Sequence, residues 1–87
     1  MELGSKIRKI REFENLTRAE FSEIAEISPR TLESWETLKR KMSAPDLQKI
    51  TQNPSFQKYT LWLLNDTIAP ESGQVSPEVE QVRGLRA

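Results

Sequence analysis

Apolar residues recur at helical spacing along the first 65 residues, in short runs separated by residues that cap helices. In the first run, Ile7, Ile10 and Phe13 share one side, and the basic residues are expected to face outward. The predicted helices span residues 4–14, about 18–25 and about 29–38, followed by two more that open at Ser43 and Asn53. Five short helices around one core predict an all-α domain over residues 1–65.

The second and third predicted helices carry the clearest start signals. Thr17 followed by Glu20 forms a capping box, in which each side chain satisfies a backbone donor of the other residue. Ser28 before Pro29 combines a serine cap with a proline at the first helical position, where its missing N–H costs nothing. The residues expected to face the core are Phe21, Ile24, Ala25, Ile27, Leu32 and Trp35. Two amphipathic helices joined by a tight turn predict a helix-turn-helix, whose second helix enters the major groove of DNA.

The pattern changes after residue 65, where two prolines and a glycine exclude a continuous helix. We expect residues 66–77 to form a short extended arm, either a β-hairpin or a pair of edge segments. Such an arm needs a partner surface, which is either its own domain or a second subunit. The candidate dimerisation residues are Ile68, Pro70 and Val75. Residues 78–87 are polar and lack an apolar period, which predicts a flexible tail.

Charge is balanced over the whole chain but uneven along it. The 13 basic residues equal the 13 acidic ones, so the formal net charge is zero. Basic residues nevertheless crowd the first helix, and Lys39, Arg40 and Lys41 follow the third. A locally basic face suffices for phosphate contact, because individual neutralised phosphates set the electrostatic part of DNA binding. Ordinary solvated helix charges are the alternative, since glutamates interleave throughout.

The chain contains no cysteine and no histidine, which restricts its chemistry. Disulfides and thiolate metal sites are excluded, and the commonest general base and the commonest metal ligand are missing. We therefore expect no catalytic site, no metal site, no cofactor and no small-molecule ligand. No apolar run approaches the length of a membrane span or of a signal-peptide core. The expected location is the cytoplasm.

The outward side of the third predicted helix carries the candidate base contacts. Arg30 lies in its first turn, where an arginine can bind guanine O6 and N7 with two hydrogen bonds. A phosphate contact, or an ion pair with a nearby glutamate, is the alternative for Arg30. Thr31 and Ser34 are short donors, and Glu33 can accept from a cytosine amine or exclude wrong sequences. Arg18 begins the second helix, whose N-terminus points at the DNA backbone. The candidate DNA-binding residues are Arg18, Ser28, Arg30, Thr31, Glu33, Ser34, Lys39, Arg40 and Lys41.

Two parts of the chain resemble known regulators. Residues 6–50 resemble the Cro/CI-type helix-turn-helix family of bacterial and phage regulators. The matching residues are Leu16-Thr17, Glu20-Phe21-Ser22, Ile27-Ser28, Thr31-Leu32 and Trp35-Glu36. Residues 53–63 and 68–77 look like the C-terminal half of the immunity (C) repressors of peduovirus-type temperate phages.

The resemblance implies a five-helix lambda-repressor-like DNA-binding domain with a short C-terminal β-strand or hairpin arm. It also implies a homodimeric repressor that silences the early lytic promoter and maintains lysogeny in a bacterial host cell. Three residues depart from the broad family pattern. Glu26 and Leu38 stand where glycine is common, and Met42 stands where proline is common. A residue with a Cβ at position 26 has to adopt a left-handed conformation, at roughly 1 to 2 kcal/mol.

The preferred interpretation is a sequence-specific repressor that binds an operator in double-stranded DNA as a homodimer. Two alternatives share the same fold. One is an antitoxin-type or other bacterial helix-turn-helix regulator with a protein partner, and the other is a helix-turn-helix used only for protein contacts. An enzyme is the least favoured class, because no paired base and nucleophile can be assembled without histidine or cysteine.

Overall fold

The computed structural model describes the backbone of residues 1–86 and the side chains of residues 1–82. Within that part of the chain the fold consists of six α-helices and two short 3₁₀ turns, with no β-strand. The helices are α1 (Leu3–Phe13), α2 (Arg18–Ala25), α3 (Pro29–Glu36), α4 (Ala44–Thr51), α5 (Thr60–Asn65) and α6 (Pro77–Arg86). The mostly helical class predicted from the sequence is confirmed. No described helix has the length and apolarity required to cross a membrane.

The predicted capping residues begin α2 and α3. The backbone N–H of Glu20 donates to the Thr17 hydroxyl at 3.1 Å, and the Glu20 carboxylate accepts from the Thr17 N–H at 2.9 Å. The Ser28 hydroxyl accepts from the backbone N–H of Thr31 at 3.0 Å. These bonds satisfy orphan donors in the first turns of α2 and α3, so both helices start where the sequence predicts.

α1, α2 and α3 each end with a non-glycine residue in the left-handed region. The φ angles are 58° at Asn15, 59° at Glu26 and 62° at Leu38. The Ile27 N–H then donates back to the Ser22 carbonyl at 3.0 Å, which closes the end of α2 as in a Schellman motif. The left-handed conformation predicted for Glu26 is therefore confirmed, and Leu38 shares it.

One core lies between the helices and contains most of the predicted apolar residues. The fully buried side chains include Ile7, Ile10, Phe21, Leu32, Trp35, Ile50, Phe56, Tyr59 and Leu63. The inward position predicted for Ile24 is wrong, because its side chain is 38% exposed. The buried face of α2 consists of Phe21, Ser22 and Ala25, which helical spacing places on one side. Ile24 lies at the edge of this face.

The basic residues of α1 do not all face solvent, contrary to the sequence prediction. Lys6 is only 3% exposed, and its ammonium donates to the carbonyl of Trp62 at 2.8 Å and contacts the Asp66 carboxylate at 2.6 Å. The last carbonyls of α5 lack helical partners and attract a cation, which explains the burial of this charge. Arg11 also turns inward, toward α3. Arg8 and Lys9 remain exposed.

The fifth helix begins later than predicted. Asn53 does not open it, because its side-chain carbonyl accepts from the Ser55 N–H at 2.9 Å in a turn. The amide of the same side chain donates to the carbonyl of Ile24 at 2.9 Å, which ties the turn to the end of α2. A 3₁₀ turn at Gln57–Tyr59 then leads into α5.

The segment predicted as an extended arm folds onto its own domain. A 3₁₀ turn at Pro70–Ser72 is followed by Gly73 at φ 80°, and a single antiparallel bridge joins Ala69 to Gln74. Val75 is 1% exposed, and its N–H donates to the Lys58 carbonyl at 2.7 Å. This segment forms no strand among the described residues.

A helix stands where the sequence analysis expects a flexible tail. Ser76 and Pro77 begin α6 with the same cap-plus-proline signal that begins α3, and the Ser76 hydroxyl accepts from the Val79 N–H at 3.2 Å. Ion pairs hold this helix to the domain: Lys9 lies 3.2 Å from Glu78, and Lys58 lies 3.8 Å from Glu80. Ala87 and the side chains of residues 83–86, also part of the expected tail, lie outside the described residues.

Candidate nucleic-acid interface

α3, the second helix of the predicted helix-turn-helix, is anchored from behind by the core. Leu32 and Trp35 are fully buried on its inner side. α1 approaches its C-terminal end so closely that a Cβ on Gly4 would lie 1.8 Å from the Trp35 carbonyl oxygen. Only glycine permits such a backbone approach. α3 is therefore held rigidly, and Arg30 and Glu33 on its outer side remain exposed.

The outer side of α3 is polar, and its residues differ in how they are engaged. Arg30 and Glu33 are exposed, and neither Glu26 nor Glu33 forms an ion pair with Arg30 among the described residues. Thr31 and Ser34 are half-buried. The uncommitted guanidinium of Arg30 thus has the reach and the donors that a base edge or a phosphate requires.

Ser28 is largely committed to structure. Its hydroxyl caps α3 and donates to the Thr31 hydroxyl at 2.8 Å, so the two side chains form a closed pair at the start of the helix. The Thr31 hydroxyl still has its own proton to donate outward. The Ser28 hydroxyl is therefore occupied by bonds within the protein. The Thr31 hydroxyl is the group of this pair that can still donate to a phosphate.

The basic connector wraps around the C-terminal end of α3. The N–H groups of Lys39 and Arg40 both donate to the Ser34 carbonyl, at 3.0 and 3.2 Å. The side chains of Lys39, Arg40 and Lys41 are all exposed. Three cations accordingly lie beside the outer side of α3, where a duplex held against that helix would present its backbone.

A shallow groove between α3 and α4 adds a cation that the sequence analysis missed. Arg40 lines this groove together with Lys49, an exposed residue of α4. Asp46 also lines it, and the pKa of its carboxyl lies below the ordinary value, mainly because it accepts from the Ser43 N–H and partly because Arg40 and Lys49 are near. The amphipathic spacing of α4, with Leu47 and Ile50 inward, would have indicated that Lys49 faces outward.

Arg18, the first residue of α2, is held by a buried carboxylate. Its side chain is 39% exposed, and its Nε donates to Oε1 of Glu36 at 3.2 Å. The Glu36 side chain is 0% exposed and also binds Arg11, which donates from Nε at 2.7 Å and from Nη2 at 3.0 Å. The hydrogen bond with Glu36 raises the pKa of Arg11 above its ordinary value, and burial opposes that shift.

The predicted dimerisation residues separate into exposed and buried positions. Ile68 is 41% exposed and Pro70 is exposed, but Val75 lies in the core of its own domain and offers no surface to a partner. The expectation for Val75 is corrected on that ground. Leu64 on α5 is 53% exposed and was missed by the sequence prediction.

The aromatic residues serve packing and offer no stacking surface for bases. The rings of Phe21 and Phe56 stack with centroids 4.6 Å apart in the core. Tyr59 is buried and donates from its hydroxyl to the Glu14 carboxylate at 2.7 Å. Burial, followed by the bond to Glu14, raises the pKa of the Tyr59 hydroxyl. Among the described residues, no group of carboxylates is arranged to hold a metal ion.

Comparison with known proteins shows one extended similarity. The chain is 33% identical over 75 residues to the repressor protein C of Escherichia phage P2. The matched region covers 86% of this chain and 76% of that protein. No protein-family model matches the chain.

Proposed function

Because this chain belongs to the family of the phage P2 repressor protein C, we propose that it is a sequence-specific DNA-binding repressor of a temperate phage or prophage. The relative is named a repressor, which supports a regulatory role for this chain over an enzymatic one. The proposal adds an operator in double-stranded DNA, a homodimeric state, and the blocking of early lytic transcription that maintains lysogeny. The observation that carries it is that Arg30, on a rigidly held α3, is exposed and has no ion-pair partner among the described residues.

In the proposed complex, α3 enters the major groove and reads bases. Arg30 binds a guanine through its O6 and N7 atoms, and Ser34 and Thr31 supply shorter donors to a base edge or a phosphate. Glu33 accepts from a cytosine amine or repels duplexes that lack one. These contacts give the sequence preference.

Phosphate contacts set register and most of the affinity in this proposal. Arg18 lies at the N-terminus of α2, the connector cations lie beyond the end of α3, and Ser28 lies at the start of α3. Together these residues bracket the helix that reads the bases, which is the arrangement that fixes a helix-turn-helix on the DNA backbone. A neutral chain can thus bind DNA through a locally basic face.

The homodimer is proposed to form through exposed apolar residues of α5 and of the segment that follows it. Leu64 and Ile68 are exposed apolar side chains, and Pro70 of the following segment is exposed as well. A dimer would present two copies of α3 to half-sites about one helical turn apart, or a multiple of it. Repression then follows from occlusion of the promoter and requires no chemistry.

Selection from a pool of random duplexes tests DNA recognition directly. Several rounds of capture by the protein should enrich one sequence motif, and the same motif should be protected in footprints of the DNA next to its own gene. A pool that stays random after selection would refute the proposal. For the dimer, Leu64→Glu should shift the protein toward monomers in sedimentation, whereas Val82→Glu on α6 is the control that also places a charge at an exposed apolar position. Equal behaviour of the two variants would exclude this dimer surface.

A further inference from the structure

Glu36 connects three helices through one carboxylate. It lies in the last turn of α3 with a side chain that solvent does not reach, and it accepts from Arg11 of α1 and from Arg18 of α2. Oε2 accepts a hydrogen bond from the Nε of Arg11, and Oε1 accepts from both the Nη2 of Arg11 and the Nε of Arg18. A buried carboxylate is tolerated only when it is fully paired, and here two guanidinium groups pair with it.

The two arginines differ in what remains available. The Arg11 side chain is only 14% exposed and also donates from Nη1 to the Leu16 carbonyl at 3.0 Å, so it is fully used inside the protein. Arg18 is bound to Glu36 through Nε, and its side chain is 39% exposed. The planar fork of arginine fixes the other nitrogens once Nε is held. Among the described residues Arg18 forms a hydrogen bond through Nε alone, which leaves both Nη nitrogens for a partner outside the protein.

We propose that Glu36 is a positioning residue, which holds Arg18 so that its outer nitrogens meet a DNA phosphate without reorganisation. This inference rests on the proposed DNA-binding function and adds a residue that touches no DNA itself. Orientation in advance lowers the entropy that a long side chain loses on binding. The same carboxylate links Arg18 to α3, so the phosphate contact and the base-reading helix keep a fixed relation.

Because Glu36 is negatively charged, the proposal predicts a change in DNA affinity opposite in direction to the one that charge alone predicts. Glu36→Gln removes a negative charge next to a phosphate-binding surface, and Coulomb attraction alone would then strengthen DNA binding. Positioning predicts the opposite result. Freed from the carboxylate, Arg18 moves among rotamers, and binding weakens although the protein has become more positive.

The experiment is a double-mutant cycle on DNA affinity. Binding of an operator duplex and of a scrambled duplex is measured at several salt concentrations for the parent, Glu36→Gln, Arg18→Gln and the double variant. Each single variant should lose about three- to tenfold in affinity on both duplexes, which is the size expected for one hydrogen bond of ordinary strength. Glu36→Gln should have almost no further effect once Arg18 is replaced, because the two act through one contact. The slope of log affinity against log salt should fall by about one unit in each variant.

Two controls separate positioning from charge and from folding. Glu78→Gln removes an exposed carboxylate paired with Lys9, and this equal change in net charge should not weaken binding. Arg18→Lys keeps the charge at an exposed position but lacks the fork, so it should bind nearly as weakly as Arg18→Gln. Thermal unfolding identifies a temperature at which every variant compared is folded. If Glu36→Gln unfolds, Arg18→Lys decides the matter alone.

The outcomes distinguish this inference from the proposed function. Three results would overturn the positioning role while leaving DNA recognition intact. The first is tighter DNA binding by Glu36→Gln, and the second is an equal effect of Glu36→Gln on DNA affinity with and without Arg18→Gln. The third is full DNA affinity of Arg18→Lys. Absence of sequence-specific binding by the parent would instead refute the proposed function.

Discussion

The backbone of Gly4 lies directly against the carbonyl group of Trp35. A Cβ at position 4 would come within 1.8 Å of the Trp35 carbonyl oxygen and within 2.7 Å of its carbon. The contact joins the first turn of α1 to the last turn of α3. It therefore fixes the distance between the N-terminal helix and the helix that is proposed to read DNA.

Gly4→Ala should destabilise the protein because the added methyl group forces α1 and α3 apart. Glycine inside a helix normally costs stability relative to alanine, so a close backbone contact has to outweigh that gain. The expected loss is about 1 to 3 kcal/mol in the free energy of unfolding, the usual cost of overpacking. Urea unfolding followed by circular dichroism measures it, with Ser5→Ala on the same helix as the control. A Gly4→Ala protein as stable as that control would show that the two helices separate freely.

The left-handed turn between α2 and α3 stores conformational strain at Glu26. Glu26→Gly removes a cost of roughly 1 to 2 kcal/mol. It adds a smaller cost, because a glycine makes the unfolded chain more flexible and so more entropy is lost on folding. The net effect should be a gain of about 1 kcal/mol or less. Glu23→Gly removes an identical charge within α2, where glycine should cost about 1 kcal/mol. Equal losses of stability in the two variants would contradict the strain at this turn.

Because Asp66 contacts Lys6, the free energy of unfolding should fall as the pH decreases in the acidic range. The Lys6 hydrogen bond holds the pKa of the Asp66 carboxyl below its ordinary value. The deprotonated form is therefore favoured by folding, and its contribution is complete above the ordinary pKa and is lost as pH falls through the lowered one. Between about pH 4 and pH 2, the parent should lose stability more steeply than Asp66→Asn. Glu71→Gln is the control, because it removes an exposed carboxylate of the same segment and should retain the parent's slope of unfolding free energy against pH. Equal slopes for all three proteins would exclude this link.

Local signals in the sequence predicted the starts of α2 and α3 well. The hydroxyls of Thr17 and Ser28 cap helices through bonds to residues three positions away, so each signal and its partner can be read together. The cap-plus-proline pair at Ser76 and Pro77 was equally readable, but the polar composition of the following residues led to the expectation of a tail. The left-handed position of Glu26 followed from the family resemblance, because glycine is common at that position in the related regulators.

Contacts between distant residues were not predictable in the same way. Lys6 binds a carbonyl 56 positions away, and Arg11 binds a carboxylate 25 positions away. Helical periodicity marks a basic residue as outward-facing and contains no information about a partner in another helix. For the same reason the exposed candidates on α3 could be named from the sequence, whereas the link between Arg18 and Glu36 required the fold.

The outer side of α3 is proposed to read DNA sequence. The ratio of the protein's affinities for a selected duplex and for its scrambled counterpart measures this property. In the parent this ratio should be large. Arg30→Ala should lose about 1 to 3 kcal/mol on the selected duplex and relax the preference at one base pair. Arg40→Ala is the matched control, for which the salt slope should fall by about one unit while the ratio is kept. A ratio near one in the parent, or an unchanged ratio in Arg30→Ala, would contradict the account.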